Sequence, residues 1–203
     1  MKKLTSTLPN MVLSLGTITI IAGALLGVIY MMTKEPIAVQ EQERQIQAIR
    51  DVTPPFDNNP EADKWSYRGA DGIECTVYPA TEHGKLVGAA VKSESNNGFA
   101  GVITTMTGFN LDGSVRDYRV LQQAETPGLG AKMEAWFRDP TGARSIIGKN
   151  PATQPFYVTK DKEKGGTVDA ITAATISSRA FLESVRDAYD AYKQYSEQKG
   201  GNK

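Results

Sequence analysis

Near the C-terminal end of the chain, four hydroxyl-bearing residues fall within seven positions. Thr172, Thr175, Ser177 and Ser178 lie in the run Asp169-Ala170-Ile171-Thr172-Ala173-Ala174-Thr175-Ile176-Ser177-Ser178, which leads directly into a helical pattern. Hydroxyl residues ahead of a helix are expected N-caps, each lending an oxygen to a backbone N–H that has no intrahelical partner. The same N–H groups, at the positive end of the helix dipole, also form a ready site for phosphate. Capping accounts well for one hydroxyl and less readily for four with small alanines between them. Composition alone leaves both readings open.

A second segment has the composition of a ligand-contacting loop. Glu125-Thr126-Pro127-Gly128-Leu129-Gly130 interrupts a strand-like stretch with one proline and two glycines. Glycine can adopt positive φ and lets backbone approach a ligand closely, so the segment suits a loop beneath something flat or phosphorylated. An ordinary Pro-Gly turn has the same composition.

Other chemistry is excluded by count. The 203 residues contain one His, His83, and one Cys, Cys75. A structural zinc or an iron–sulfur cluster takes about four N or S ligands, so this chain alone builds neither. A single Cys also forms no intramolecular disulfide. Lys and Arg balance Asp and Glu at 23 each, which removes the basic excess expected of a nucleic-acid binder. Redox chemistry in this chain therefore needs an organic cofactor or a partner that holds the electrons.

These segments have to be positioned by the elements around them. Met11 to Met32 is almost wholly apolar, and about 22 residues at 1.5 Å rise cross the roughly 30 Å hydrocarbon layer. A cleaved leader is the alternative, because Ala22-Gly23-Ala24 has the small-x-small form of a cleavage site; a retained single span is the favoured reading. Lys2 and Lys3 keep the short N-terminal side cytoplasmic, so the remainder faces outward. Gly23 and Gly27 form a GxxxG pattern, which suits a partner's membrane helix but also occurs as ordinary membrane-helix glycine content. Glu35 to Val52 reads as a polar helix ending near Thr53-Pro54-Pro55, and Phe56 to Asp63 as a linker.

The domain organisation expected is thus residues 1–10 cytoplasmic, 11–32 transmembrane, 33–64 polar helix and linker, and 65–203 one soluble domain. Within that domain, strands are predicted over Ile73–Tyr78, Leu86–Ser93, Gly101–Phe109 and Ser114–Leu121. Asn110-Leu111-Asp112-Gly113 joins the last two as a hairpin. Met133–Phe137 suits a short helix stopped by Asp139-Pro140, and Phe156–Thr159 one more strand. Ser177 to Gln198 carries Phe181, Leu182, Val185, Ala188, Tyr189, Tyr192 and Tyr195 at helical spacing, with Gly200-Gly201 after its end. That stripe is assigned to packing. The fold class is α+β: a single N-terminal transmembrane helix, then one extracytoplasmic domain with an antiparallel sheet and a C-terminal helix.

Together the two motifs resemble the periplasmic FMN-binding domain shared by the G subunit of the Rnf complex and the C subunit of the sodium-pumping NADH:quinone reductase. That family has an ETPGLG loop followed, some 40 residues or more later, by D-x-x-(S/T)-G-A-(T/S)-x-(S/T). Glu125 to Gly130 match the loop in full; Asp169, Thr172, Ala174, Thr175 and Ser177 match the second motif. The Gly98-Phe99-Ala100-Gly101 turn, with Gly108 and Gly113, also looks like the family's run of strands before the loop. The likeness covers roughly residues 90 to 190.

The resemblance implies that Thr175 is the hydroxyl esterified to the phosphate of covalent FMN by a dedicated flavin transferase, and that Asp169 is the acidic position this enzyme requires. It implies a flavin ring beside the ETPGLG loop, with Leu129 as an apolar wall and Thr126 and the Gly128 and Gly130 backbone in close contact. Glu125 would position the loop. Trp136 is assigned to the core before a flavin contact, and Lys132 to the surface before a role at a reduced flavin. One residue departs from the pattern: Ala173 stands where the family usually has Gly, and a positive φ there would cost something like ~1 kcal/mol.

The activity implied is electron relay within an Rnf-type ion-translocating ferredoxin:NAD oxidoreductase of the inner membrane, with other membrane subunits as partners and little independent turnover. The short segment between anchor and domain favours the Rnf protein over its NADH:quinone reductase relative. A scaffolding protein that has lost its flavin is the reading from another class, and Ala173 is the feature that speaks for it.

Overall fold

The computed structural model describes residues 7–69 and 72–200. Lys2, Lys3 and Gly201, on which parts of the sequence reading rest, lie outside the described residues. Two compact units divide the chain, residues 1–44 and 45–203.

From Leu8 onward the first unit is helix. Helix α1, Leu8–Val52, absorbs both the predicted span and the predicted polar helix, with Pro36 inside it. It is long and apolar enough to cross a membrane, with a mean hydropathy of 2.3 over its most apolar 18 residues and none of that window buried. Thr17 and Thr33 return their hydroxyls to carbonyls four residues back, at 2.7 and 2.9 Å, which satisfies polar groups that lipid would leave unpaired.

The second unit is a five-stranded antiparallel meander, β1-β2-β3-β4-β5. The strands are β1 Trp65–Arg68, β2 Glu74–Glu82, β3 Lys85–Ser95, β4 Ile103–Phe109 and β5 Val115–Gln122. The β4–β5 hairpin turns where Asn110 to Gly113 predict it. Asp112 Oδ1 accepts the Ser114 N–H at 2.9 Å, and Gly113 takes a φ of +79° that a Cβ would strain. β1 has no counterpart among the predicted strands. The expected strand at Phe156–Thr159 is a correction: there the chain makes only an isolated parallel bridge, Val158 to Val168.

Both faces of the sheet are covered, so β4 is buried along its whole length. On one face lies helix α3, Thr175–Gly200, whose predicted stripe faces the core. Phe181 stacks on Phe137 with ring centroids 4.5 Å apart, and Tyr192 stacks on Phe109 at 5.1 Å. Between helix and sheet, Ser93 donates to the Ser184 carbonyl at 2.7 Å, and the Thr105 and Ser184 hydroxyls pair at 3.1 Å. On the opposite face, Ala48, Ile49 and Val52 of α1 pack with Tyr78, Ala90 and Met106. Gly108 makes that approach possible, since a Cβ there would lie 1.9 Å from the Val52 carbonyl oxygen. α2, Met133–Trp136, follows a 3-10 turn at Gly130–Lys132 and is held to β5 by Tyr118, whose hydroxyl donates to the Met133 carbonyl at 2.7 Å.

Candidate functional site

The two sequence motifs meet through one carboxylate. Glu125, 5% exposed, accepts the Ser177 hydroxyl at Oε2 (2.6 Å) and the Ala100 N–H at Oε1 (3.1 Å). A single side chain therefore joins the Gly98–Gly101 turn, the ETPGLG loop and the first turn of α3. Gly130 is built around this junction: a Cβ there would come within 2.5 Å of Ser177 Oγ and 2.7 Å of Glu125 Oε2. Gly98 is equally confined, with Glu125 Oε1 2.9 Å from its would-be Cβ and the Gly101 carbonyl closer still. Gly128 differs. Its φ is +80° and open space surrounds its Cβ direction, so conformation and not crowding accounts for glycine there.

Thr175 opens α3 and is half-buried. The residue before it, Ala174, has no side-chain oxygen with which to cap the helix. The four hydroxyls divide their work differently from a row of caps. Ser178 Oγ accepts the Ile171 N–H and donates to the Ala174 carbonyl, both at 2.9 Å, closing the turn that presents Thr175. Ser177 is committed to Glu125. Thr175 Oγ1 accepts a bond from the Lys160 ammonium at 3.2 Å, and Thr172 is exposed. Among the described residues, no acceptor pairs with the backbone N–H of Thr175, Ile176 or Ser177. These orphan donors at a helix start, beside an accessible hydroxyl, fit a phosphoester at Thr175.

Asp169 sits a turn upstream and is partly buried. Its Oδ2 accepts the Ala143 N–H at 3.1 Å, and its Oδ1 the Thr159 hydroxyl at 3.4 Å. Its carbonyl accepts the Trp136 indole N–H at 2.8 Å. Trp136 is packed against the core and carries the Arg144 guanidinium 4.2 Å above its ring, so it holds the hydroxyl segment in place from behind. Lys132 is exposed. Three large apolar side chains remain open to solvent on the segments that Glu125 joins or belongs to: Phe99 at 69%, Leu129 at 40% and Ile176 at 50%.

Ala173 has a φ of +59°, the left-handed conformation that glycine adopts at no steric cost. For Ala173→Gly, relief of that conformation is worth about 1–2 kcal/mol and outweighs the added freedom of the unfolded chain, about 0.4–1 kcal/mol. Thermal unfolding of the full chain in detergent should show Tm raised by about 2–4 °C. An unchanged or lowered Tm would mean that strain in the αL turn does not exceed the freedom gained by the unfolded chain.

Sequence reasoning missed Lys160, which is fifteen positions from Thr175 and has no local pattern to mark it. It names the Gly98–Gly101 turn but not the bond that the Ala100 N–H gives to Glu125. The lone thiol offers nothing to the site: Cys75 is buried in the core, and burial pushes its pKa up to about 12. Among the described residues no cluster of His, Cys, Asp and Glu is placed to hold a metal.

The family model for an FMN-binding domain matches residues 98–190, which spans both motifs. Along nearly its whole length the chain is similar to the G subunit of an ion-translocating oxidoreductase complex from Aliivibrio fischeri (strain MJ11), 30% identical over 95% of this chain and 94% of the relative. A G subunit of the same description from Vibrio vulnificus (strain YJ016) is 31% identical over 90% and 89%. The G subunit of a Na(+)-translocating ferredoxin:NAD(+) oxidoreductase complex from Acetobacterium woodii is 33% identical over 59% of this chain and 56% of its own. With both motifs converging on one carboxylate and such likeness running through anchor and domain alike, the chain belongs to the G-subunit family of ion-translocating oxidoreductase complexes and carries that family's FMN-binding domain.

Proposed function

We propose that Thr175 carries FMN as a phosphoester and that the chain relays electrons between neighbouring subunits of an Rnf-type, ion-translocating ferredoxin:NAD oxidoreductase. The observation that supports this most directly is the Thr175 hydroxyl at the start of α3, bonded only by the Lys160 ammonium, beside three unpaired backbone N–H groups. FMN accepts and passes on one or two electrons, which is the chemistry such a complex requires. The residues of this chain supply position. The N–H groups of Thr175, Ile176 and Ser177 are available to the phosphate oxygens. Leu129, Phe99 and Ile176 offer exposed apolar surface for a ring, and Thr126 and the Gly128 and Gly130 backbone border it. Thr172, Ala173 and Ala174 form the turn that presents the hydroxyl.

Asp169 is assigned to recognition by the flavin transferase. Its carboxylate is already fastened to Ala143 and Thr159, which presents a fixed acidic feature ahead of Thr172. Residues 11–32 span the inner membrane in this reading, and the positive N-terminal side keeps 1–10 in the cytoplasm. Residues 33–64 lead to the flavin domain, 65–203, on the periplasmic side. The other membrane subunits are its partners. Attachment retains a flavin that an open, partly exposed site would otherwise lose.

The test is intact mass of the full chain produced with and without a flavin transferase. A gain equal to FMN less one water, present only with the transferase, is expected. No gain with a transferase shown active on another substrate would sink the tethered-flavin reading and leave the scaffolding role.

A further inference from the structure

We propose that Lys160 is the cationic clamp of the flavin tether, its ammonium holding the phosphodiester that joins FMN to Thr175; this rests on covalent attachment at Thr175. Lys160 Nζ already lies 3.2 Å from Thr175 Oγ1, the atom that would become the ester oxygen. The two unesterified oxygens of such a diester, bonded to a phosphorus on that atom, come within reach of the same ammonium. A diester keeps one full negative charge, and a hydrogen bond between two charged groups is stronger than the neutral-acceptor bond it would replace.

The neighbourhood leaves Lys160 free for this role. It is exposed, and among the described residues it makes no ion pair. The adjacent carboxylate, Asp161, is taken by Arg179, which donates to it through Nε at 3.0 Å and through Nη2. Asp169 is engaged by Ala143 and Thr159. The backbone around Lys160 is fixed as well: Thr159 N–H donates to the Val168 carbonyl at 2.9 Å, and Asp161 N–H to the Val158 carbonyl at 2.8 Å. An ammonium on a fixed loop thus stands at the attachment atom with no carboxylate of its own. A solvated lysine that meets Thr175 by chance would leave the diester indifferent to its removal.

The experiment compares the native chain, Lys160→Met and Lys160→Arg, each full length in a phosphorus-free detergent and each produced with and without the transferase. Intact mass first establishes attachment in all three. The readouts are then the 31P chemical shift of the diester and the change in Tm on flavinylation. Lys160→Met is expected to displace the 31P resonance and to reduce the flavin-dependent Tm increment by about 2–4 °C, the upper end for one solvent-exposed ion pair in a chain of this size. Lys160→Arg should restore most of both. Full attachment with neither readout moved by Lys160→Met overturns the clamp. So does loss of attachment in Lys160→Met when its unflavinylated Tm matches the native value, because the lysine would then act during loading and not on the finished diester. Absence of flavin from the native chain fails the attachment reading instead, and mass alone separates that case.

Discussion

The Thr175→Ala chain is expected to take up no flavin, to fold as well as the native one and still to enter the membrane. The hydroxyl makes one hydrogen bond, the 3.2 Å contact from exposed Lys160, so its loss costs the fold at most a few tenths of a kcal/mol. The functional loss should be complete, because no other hydroxyl of the segment is placed to replace it. Ser177 is turned inward to Glu125, and Ser178 is buried in the turn it closes. Thr172 is accessible, but it precedes α3 and lies outside the first helical turn, where the N–H groups point along the axis toward an anion. Intact mass with the transferase should therefore show the flavin increment in the native chain, in Thr172→Ala and in Thr175→Ser, which keeps the hydroxyl, and none in Thr175→Ala. Ferredoxin-dependent NAD reduction by membranes carrying Thr175→Ala should fall to background while the protein remains present. A flavin increment that persists in Thr175→Ala and disappears in Thr172→Ala would move the attachment point three residues upstream.

The parts of this molecule that are legible in sequence are those where one local rule acts alone. Asp112-Gly113 sets a hairpin whatever surrounds it, and the seven-residue stripe of α3 points to a core from any context. At Ala173 the sequence raises positive φ only as a condition, through the glycine the family usually has there, and the backbone takes a φ of +59°. What stays hidden depends on contacts between distant segments. β4 reads as a mixed strand, Ile-Thr-Thr-Met-Thr-Gly-Phe, and three threonines would ordinarily mark a solvent face. All three are buried, because α3 covers one face of the sheet and the end of α1 covers the other. Trp65–Arg68 is a short edge strand in turn-rich surroundings, with only Trp65 and Tyr67 partly buried. The segment Phe156–Thr159 has strand composition but needs a partner strand, and it finds only one bridge at Val168. Lys160 and Thr175 come together because that loop folds back, which no spacing rule encodes.

Glu125 is where the motif reading and the structure join, and its replacement tests whether the site is held together as described. Glu125→Ala removes the acceptor of two bonds, from the Ser177 hydroxyl and the Ala100 N–H, in a place almost closed to water. Each bond to a charged group contributes about 1.5–3 kcal/mol, and unpaired buried donors add a penalty, though the two terms are not additive. A loss of about 3 kcal/mol is expected, read as a fall in Tm of about 6–12 °C. Glu125→Gln should cost far less. Its amide oxygen can keep the Ala100 N–H, and its NH2 can donate to Ser177 Oγ once that hydroxyl rotates, so both groups stay partnered. Measured on the unflavinylated chain, this comparison is independent of the flavin. A Gln variant as unstable as Ala would mean that the charge, and not the pair of hydrogen bonds, joins the two motifs. An Ala variant within about 0.5 kcal/mol of native, the range of ordinary surface substitutions, would mean that the loop and the start of α3 are positioned by packing around Gly130 alone.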